Sequence, residues 1–148
     1  MRLAHAQDLP LPSYATAEAA GLDLLAANDA DIEIKPGGRT AIPCGISLAL
    51  PAGFEAQVRP RSGLALNHGI TLLNAPGTID SDYRGEVKAV LINLGETAFH
   101  VRRGMKIAQL VIARHEHADL VEATDLPESR RGAKGFGSTG IEHTPRST

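Results

Sequence analysis

The sequence predicts an all-β fold, a jelly-roll-like β-sandwich or barrel with one short helix and a flexible carboxyl-terminal arm. Apolar and polar residues alternate in many short segments, and Gly and Pro turns separate these segments. Only one stretch between them breaks the alternation in a way that favours a helix. About ten short strands with almost no helix are typical of jelly rolls and related sandwiches.

The first strands are predicted in the amino-terminal half of the chain. Residues 18–27 are rich in Ala and Leu and fit either a short helix or a strand, although Gly21 argues against the helix. Residues 32–35 alternate, and a Pro-Gly-Gly turn follows at residues 36–38, which predicts a hairpin with the next strand. Further strands in this half are predicted at residues 40–43, 46–50 and 54–59.

The carboxyl-terminal half continues this pattern and then changes. Residues 60–69 break the alternation and predict the short helix. The strands predicted after this helix lie at residues 70–73, 87–92, 99–102 and 105–113. Beyond Leu126 the chain is rich in Gly, Ser and cations and has no apolar period. We therefore predict a β domain over residues 1–126 and an arm over residues 127–148.

The composition restricts the classes of function. A chain of 148 residues is one domain by size and too short for a cleft between two domains, so a sizeable active site is expected to need more than one copy. The net charge of -2 argues against a nucleic-acid partner bound through a basic surface. The single cysteine, Cys44, excludes an internal disulfide and a multi-cysteine zinc site. The sequence has no apolar run of membrane-spanning length and no signal-peptide core, which predicts a soluble cytoplasmic protein without a membrane partner.

Residues 74–86 have the composition of an active site. Two carboxylates, Asp80 and Asp82, stand beside Tyr83 and Arg84, and glycines bend the chain between two apolar runs. The carboxylates are candidates for a general base or for a metal or sugar contact, and solvated turn acids are the alternative.

Three other segments carry candidate sites. Residues 61–63, Arg-Ser-Gly, combine a guanidinium, a hydroxyl and a Gly backbone that suit an anion, although an ordinary turn is the alternative. His115 and His117 have the spacing of metal ligands, but an exposed strand end is preferred because the sequence offers no third ligand nearby. In the arm, the cations and glycines around Phe136 suit phosphates and a stacked base, with a plain mobile tail as the alternative.

Five segments resemble the motifs of the trimeric deoxyuridine triphosphatase (dUTPase) family and follow that family's order. They are Ala-Gly-Leu-Asp-Leu at 20–24, Pro-Arg-Ser-Gly-Leu-Ala at 60–65, Gly-Thr-Ile-Asp-Ser-Asp-Tyr-Arg-Gly at 77–85, Arg-Gly-Met-Lys-Ile-Ala-Gln-Leu at 103–110, and Arg-Gly-Ala-Lys-Gly-Phe-Gly-Ser-Thr-Gly at 131–140. One such segment is weak evidence, whereas five in order are specific.

The resemblance implies a reaction and an assembly. The reaction is the Mg²⁺-dependent hydrolysis of dUTP to dUMP and pyrophosphate by attack of water on the α-phosphorus, which limits uracil incorporation into DNA and supplies dUMP for thymidylate synthesis. Asp80 would be the catalytic carboxylate that activates the water. The assembly is a homotrimer with shared active sites. Mg²⁺ would have no direct protein ligand and would be held by substrate phosphates and waters, with Asp23 and Gln109 near its water network.

The resemblance also implies substrate contacts. Tyr83 would pack against the sugar and exclude a 2′-hydroxyl, and a hairpin over residues 74–83 would bind uracil through backbone groups and Asn74. The tail of another subunit would close over the site, with Phe136 on the uracil and Arg131 on the γ-phosphate. The other substrate-binding residues that it implies are Arg61, Ser62, Gly63, Gly77, Thr78, Ile79, Lys88, Gln109, Gly137, Ser138 and Thr139.

Two departures from the family pattern stand in the fourth and fifth segments. Lys134 and Gly135 occupy positions where two glycines are usual, and a positive φ at Lys134 would be strained. Met105 and Lys106 occupy positions where an acidic or polar residue and Arg are commoner.

Two other functions stand beside the dUTPase hypothesis. A deoxycytidine triphosphate deaminase shares the fold, and residues 80–83 together with the Phe-containing tail favour the dUTPase over it. A jelly-roll module that holds a nucleotide without hydrolysing it is the second, and the presence of Asp80 argues against it.

Overall fold

Nine strands and one short α-helix make up the regular structure of residues 1–136, the part of the chain that this computed structural model describes. The helix, α1, is Ser62–His68, and a 3₁₀ turn covers Ala4–Ala6. The strands are β1 Leu22–Leu25, β2 Ile32–Ile34, β3 Arg39–Pro43, β4 Phe54–Arg59, β5 Ile70–Leu72, β6 Gly77–Ile79, β7 Lys88–Asn93, β8 Phe99–Val101 and β9 Lys106–Arg114. The predicted all-β fold class with one short helix is confirmed.

The strands form three antiparallel sheets whose neighbours are distant in sequence. The orders are β1-β9-β4-β6, β2-β8 and β3-β7-β5. The longest strand, β9, lies between β1 and β4, so that Gln109 faces Asp23 on one side and Arg59 on the other. Pairing between remote strands is characteristic of the jelly roll and brings separate motifs to one sheet.

An aliphatic core fills the space between the sheets. Side chains alternate across each strand, so Ala56 and Val58 of β4 are buried while Gln57 between them is only partly covered. The single cysteine, Cys44, belongs to this core, and burial raises the pKa of its thiol to about 12, with the Glu86 charge adding to the effect.

The hairpin predicted over residues 32–43 is wrong, although its turn is present. Gly37 has φ 75° and the N–H of Gly38 donates to Lys35 O at 2.8 Å, but β2 pairs with β8 and β3 pairs with β7. The buried side chain of Asn93 explains the separation, because its amide donates to Ile34 O at 2.8 Å and takes the place of a strand partner.

Two other local predictions differ from the structure. Residues 46–50 are not a strand, because only Ile46 makes a bridge, to Arg2, and Pro51 follows directly. Residues 74–83 do not form a local hairpin. They contain β6, which pairs with β4, and turns flank β6 on both sides. Residues 18–27, in contrast, resolve into the strand β1 rather than a helix.

The chain divides into two compact units, one over Met1–His117 and one that begins at Ala118. The described part of the second unit, residues 118–136, contains no helix or strand. The predicted boundary after Leu126 stays a prediction. Across residues 1–136, no helix combines the length and the apolar character that crossing a membrane requires.

Candidate active site

The first part of the candidate site is a pocket of about 190 Å³ beside β6. It brings together seven of the residues singled out in the sequence, and Val58 and Glu86 complete its wall. Its lining residues are Val58, Asn74, Gly77, Thr78, Ile79, Asp80, Tyr83, Glu86 and Lys88. Because base and sugar contacts are predicted here, we call it the nucleoside pocket.

Close backbone packing shapes the nucleoside pocket. Gly77 lies opposite Val58 on β4, and a Cβ at this position would stand 3.2 Å from the side-chain nitrogen of Asn74. The missing side chain therefore leaves room for the Asn74 amide at the pocket wall. Asp80 follows the buried Ile79 directly and is exposed at the end of β6, where its carboxylate meets solvent.

Tyr83 is held against the turn that follows Asp80. The N–H of Tyr83 donates to Asp80 O at 3.2 Å, and the phenol donates to Glu86 O at 3.1 Å. A Cβ at Gly85 would stand 2.3 Å from the phenol oxygen, so the ring lies directly over this glycine. Arg84 bonds back to Ser81 O at 2.6 Å, which assigns this cation to the turn. The Tyr83 side chain, which forms the rim of the pocket, is therefore held in place by residues close to it in sequence.

The second part is a cluster of charges where β1, β9 and the start of α1 meet. Oδ2 of Asp23 lies 2.7 Å from Nζ of Lys106, and Oδ1 lies 3.3 Å from Nε of Arg61. Nε of Arg61 is buried and makes no hydrogen bond of good geometry, so its contact with Asp23 is an ion pair only. Nη1 of Arg61 donates to Lys106 O at 3.1 Å. Two cations on one carboxylate leave this cluster, which we call the phosphate cluster, with an excess of positive charge.

Polar groups that suit an anion lie beside the phosphate cluster. Ser62 and Gly63 begin α1, where the first N–H groups of a helix have no intrahelical acceptor. Gln109 on β9 pairs with Asp23 on β1. A Cβ at Gly21 would stand 2.8 Å from the side-chain oxygen of Gln109. A second pocket of about 250 Å³ is lined by Arg61, Ser62, Gly63, Leu64, Asn67, His68 and Gln109.

Asp80 and the phosphate cluster of one chain lie towards opposite ends of β4. Ile79 pairs with Ala56, and because the strands are antiparallel Asp80 continues towards the start of β4. Arg61, in contrast, follows the end of β4 at Arg59. The strand positions 55 and 59 alone are about 13 Å apart at 3.3 Å per residue. A single chain therefore does not bring Asp80 to an anion bound by its own Arg61.

Comparison with known proteins decides the family. The dUTPase family model matches residues 7–140. The chain belongs to the dUTPase family. Its similarity to the deoxyuridine 5'-triphosphate nucleotidohydrolase of Rickettsia massiliae (strain Mtu5) is 57% identity over 131 residues, which cover 88% of each protein.

Solved dUTPases share the fold of the chain. A mutant dUTPase of Staphylococcus bacteriophage 80alpha with dUpNHpp matches with a TM-score of 0.83 and 21% identity, over 91% of this chain and 94% of that one. A mutant dUTPase from phage phi11 of S. aureus, whose structure describes a structural Mg(II) ion, matches with a TM-score of 0.73 and 18% identity, over 80% and 92% of the two chains. At these identities the likeness concerns the fold.

The residues present fit the Mg²⁺ of the dUTPase family only if substrate and water supply most of its ligands. Across residues 1–136, no three His, Cys, Asp or Glu side chains converge on one point. Both oxygens of Asp23 already contact cations. Mg²⁺ commonly keeps several waters and binds phosphates through few carboxylates, so Asp23 and Gln109 suit its outer water shell. His115 and His117 lie with ring centroids 6.0 Å apart, and no third ligand joins them in the described residues.

The dUTPase motif of the second unit forms a tight turn where the structure describes it. Gly132, with φ 52°, donates to Ser129 Oγ at 3.0 Å, and Nε of Arg131 donates to Lys134 O at 2.9 Å. Lys134 does not have a positive φ, so the strain considered for it is absent. Phe136 is fully exposed. The predicted contacts Gly137, Ser138 and Thr139 lie outside the described residues.

Arg103, the first residue of the fourth motif, has a role that the sequence did not reveal. It forms a two-pronged ion pair with Asp8 at 2.6 and 3.0 Å and donates to Ala27 O at 3.0 Å. The hydrogen bond with Arg103 lowers the pKa of Asp8 to about 2. Arg103 thus fastens the amino-terminal segment to the residues that follow β1.

Proposed function

We propose that this protein hydrolyses dUTP to dUMP and pyrophosphate as a homotrimer, with active sites that take residues from more than one copy. The observation that carries the shared-site arrangement is the separation of Asp80 from Arg61 along β4. Both groups are needed at one α-phosphorus, because one activates water and the other holds phosphate. A second copy brings the missing group to each site.

The nucleoside pocket selects the substrate. Its polar wall, which includes Asn74, pairs with the edge of uracil, and a base that leaves this wall unpaired is rejected. Tyr83, held over Gly85, packs against deoxyribose and leaves no room for a 2′-hydroxyl. Lys88 lines the same pocket and supplies a positive charge on the substrate side.

Asp80 performs the proton transfer. A carboxylate oxygen accepts a proton from the attacking water as the water oxygen bonds to the α-phosphorus. The bond from the α-phosphorus to the bridging oxygen then breaks, and pyrophosphate leaves with its electron pair. Asp80 suits this role because it is exposed directly after the end of β6, and the preceding residue, Ile79, is buried in the core.

The phosphate cluster holds the triphosphate. Arg61 contributes its guanidinium, Ser62 and Gly63 contribute helix N–H groups and a hydroxyl, and Gln109 contributes an amide. Mg²⁺, when bound to the phosphates, neutralises charge and fixes their geometry. The arm over residues 127–148 closes the site of a neighbouring copy, with Arg131 and Phe136 on the substrate and Gly137, Ser138 and Thr139 on its phosphates. Its substrate and its product are free nucleotides, and we propose that the enzyme acts on them in the cytoplasm.

A subunit-mixing experiment tests both the reaction and the shared sites. Asp80→Asn and Arg61→Ala are each expected to abolish pyrophosphate release from dUTP. Unfolding the two variants together and refolding them at equal amounts should restore about a quarter of the wild-type sites, because those sites combine an intact Asp80 with an intact Arg61 from different copies. Mixing without unfolding is the matched control. No recovery after refolding would contradict the shared site.

A substrate panel separates the reaction from its alternatives. Wild-type protein with Mg²⁺ should release pyrophosphate from dUTP and far less from dCTP, dTTP and UTP. Ammonia released from dCTP would indicate a deaminase, and tight binding of dUTP without any product would indicate a nucleotide-binding module.

A further inference from the structure

The amino-terminal segment contacts the wall of the nucleoside pocket through His5. Nε2 of His5 lies 3.0 Å from Oε1 of Glu86, and the same oxygen accepts the N–H of Gly45 at 2.8 Å. Glu86 lines the pocket, and its side chain is only 17% exposed. A shielded carboxylate interacts more strongly with its partners than a solvated one does. The contact therefore fixes the position of Glu86.

His5 is itself held in place, unlike most residues in surface ion pairs. Nη2 of Arg103 donates to His5 O at 2.6 Å, and the same guanidinium is paired with Asp8. The next residue, Ala6, is buried and packs against Gly45, where an added Cβ would stand 2.2 Å from the Ala6 side chain. These contacts fix the backbone of His5, so only the rotamer freedom of its short side chain is lost when it meets Glu86, and less entropy opposes this pair than opposes a pair of long, mobile surface side chains.

Glu86 connects this contact to the rim of the pocket. Its backbone oxygen accepts the hydrogen bond of the Tyr83 phenol at 3.1 Å. The Tyr83 side chain is half exposed, and apart from its packing over Gly85 this bond is what fixes its tip. A shift of Glu86 therefore moves the phenol of Tyr83. Asp80, in contrast, contacts Tyr83 only through its backbone oxygen, which accepts the Tyr83 N–H.

We propose that His5 is a positioning residue that holds Tyr83 in place through Glu86 and thereby sets the affinity and sugar selectivity of the nucleoside pocket. This inference rests on the proposed function, since that function places deoxyribose against Tyr83. His5 does not touch the substrate. Its loss is expected to act on KM and on the preference for dUTP over UTP, and to leave kcat nearly unchanged.

Steady-state kinetics of two His5 variants test the role. His5→Ala removes the partner of Glu86 and should raise KM for dUTP about fivefold, with kcat within about twofold of wild type, since such a hydrogen bond is of moderate strength. His5→Gln should restore KM, because its side-chain nitrogen reaches the position of Nε2 and donates without a charge. His100→Ala is the matched control, because His100 lies 4.0 Å from Glu33 on the β2-β8 sheet and should leave KM unchanged. Equal KM values in wild type and His5→Ala would overturn the role.

A spectroscopic readout separates this inference from the proposed function. The chain has two tyrosines and no tryptophan, so Tyr14→Phe leaves Tyr83 as the single tyrosine that reports by fluorescence or NMR. In that background His5→Ala should change the Tyr83 signal and His5→Gln should not. An unchanged Tyr83 signal together with normal dUTP turnover would overturn only the role of His5. A wild-type protein that does not turn over dUTP would instead overturn the proposed function, and the sugar role with it.

Discussion

The nucleoside pocket and the phosphate cluster differ in how the chain builds them. Seven of the nine residues that line the nucleoside pocket come from residues 74–86, and the absence of side chains at Gly77 and Gly85 shapes it. The phosphate cluster joins Asp23, Arg61 and Lys106, which meet only because β9 pairs with both β1 and β4. In the proposed function, selectivity therefore depends on local backbone packing, whereas anion binding depends on strand register and on charge.

This difference predicts that substitutions in different parts of the site act mainly on different kinetic constants. A change at the reacting carboxylate should lower kcat, a change in the phosphate cluster should lower kcat/KM, and a change in the packing around Tyr83 should raise KM. The four predictions that follow are ordered by expected effect.

Asp80→Asn is expected to have the largest effect. The substitution keeps the size of the side chain but removes the base, so kcat should fall about 10²- to 10⁴-fold. Because Asp80 is exposed, the thermal unfolding temperature should stay near that of wild type. Pyrophosphate release and thermal melting check both parts, and Asp82→Asn is the matched control with nearly normal kcat. Wild-type turnover by Asp80→Asn would remove Asp80 from the chemistry.

Arg61→Lys should have the next largest effect. Arg61 contacts the Asp23 carboxylate and Lys106 O at once, and the single ammonium group of Lys does not replace both contacts and a bond to phosphate. We expect kcat/KM to fall about 10- to 100-fold, in line with the loss of a charged hydrogen bond. Arg59→Lys is the control, because Arg59 bonds to Gln57 on the strand surface. Equal losses in both variants would mean that general charge, rather than the cluster, binds the triphosphate.

Gly85→Ala should have a moderate effect confined to binding. The added methyl group would stand 2.3 Å from the phenol oxygen of Tyr83, so the ring must move away from Glu86. KM for dUTP should rise about three- to tenfold, as expected for overpacking at a partly exposed site, while kcat changes little. Steady-state kinetics with dUTP and UTP check this. A larger change in kcat than in KM would show that the packing around Tyr83 also positions Asp80.

Asp8→Asn should have the smallest effect, and it should act mainly on stability, because Arg103 keeps its own hydrogen bond to His5 O. The pKa of Asp8 is about 2 in the folded protein against an ordinary value of 3.8, so the Arg103 pair stabilises the fold fully above the ordinary value. This stabilisation is lost as the pH falls from 3.8 towards 2. In urea unfolding, wild type should exceed Asp8→Asn in stability at pH 6, and the difference should shrink at pH 3. A difference that grows towards acid would contradict this sign.

The same contrast explains what the sequence could predict. Asn74, Asp80 and Tyr83 are recognisable because one continuous stretch carries the chemistry of the nucleoside pocket. The strands β4, β7 and β9 are predictable from alternation, since each has one face on the core. The failed hairpin over residues 32–43 depends on the buried amide of Asn93, and a side chain that substitutes for a distant strand leaves no local pattern.

The contacts of the phosphate cluster could not be predicted from local sequence patterns. The pairing of β1 with β9 shifts register between Leu24 and Leu25, and this irregularity places Lys106 opposite Leu25. Lys106 reaches Asp23 from there, so its contact depends on a bulge that alternation does not reveal. His5 is a similar case, because 81 residues separate it from Glu86 and nothing in its local sequence marks it.

The buried thiol of Cys44 has a practical consequence. The thiolate is the form that reacts, and a pKa of about 12 leaves almost none of it at neutral pH. Site-specific labelling through an introduced cysteine therefore does not require the removal of Cys44. A cysteine introduced at the exposed Ser129 would be the single reactive thiol, and a fluorophore attached there would follow the arm of each copy while dUTP is bound and released.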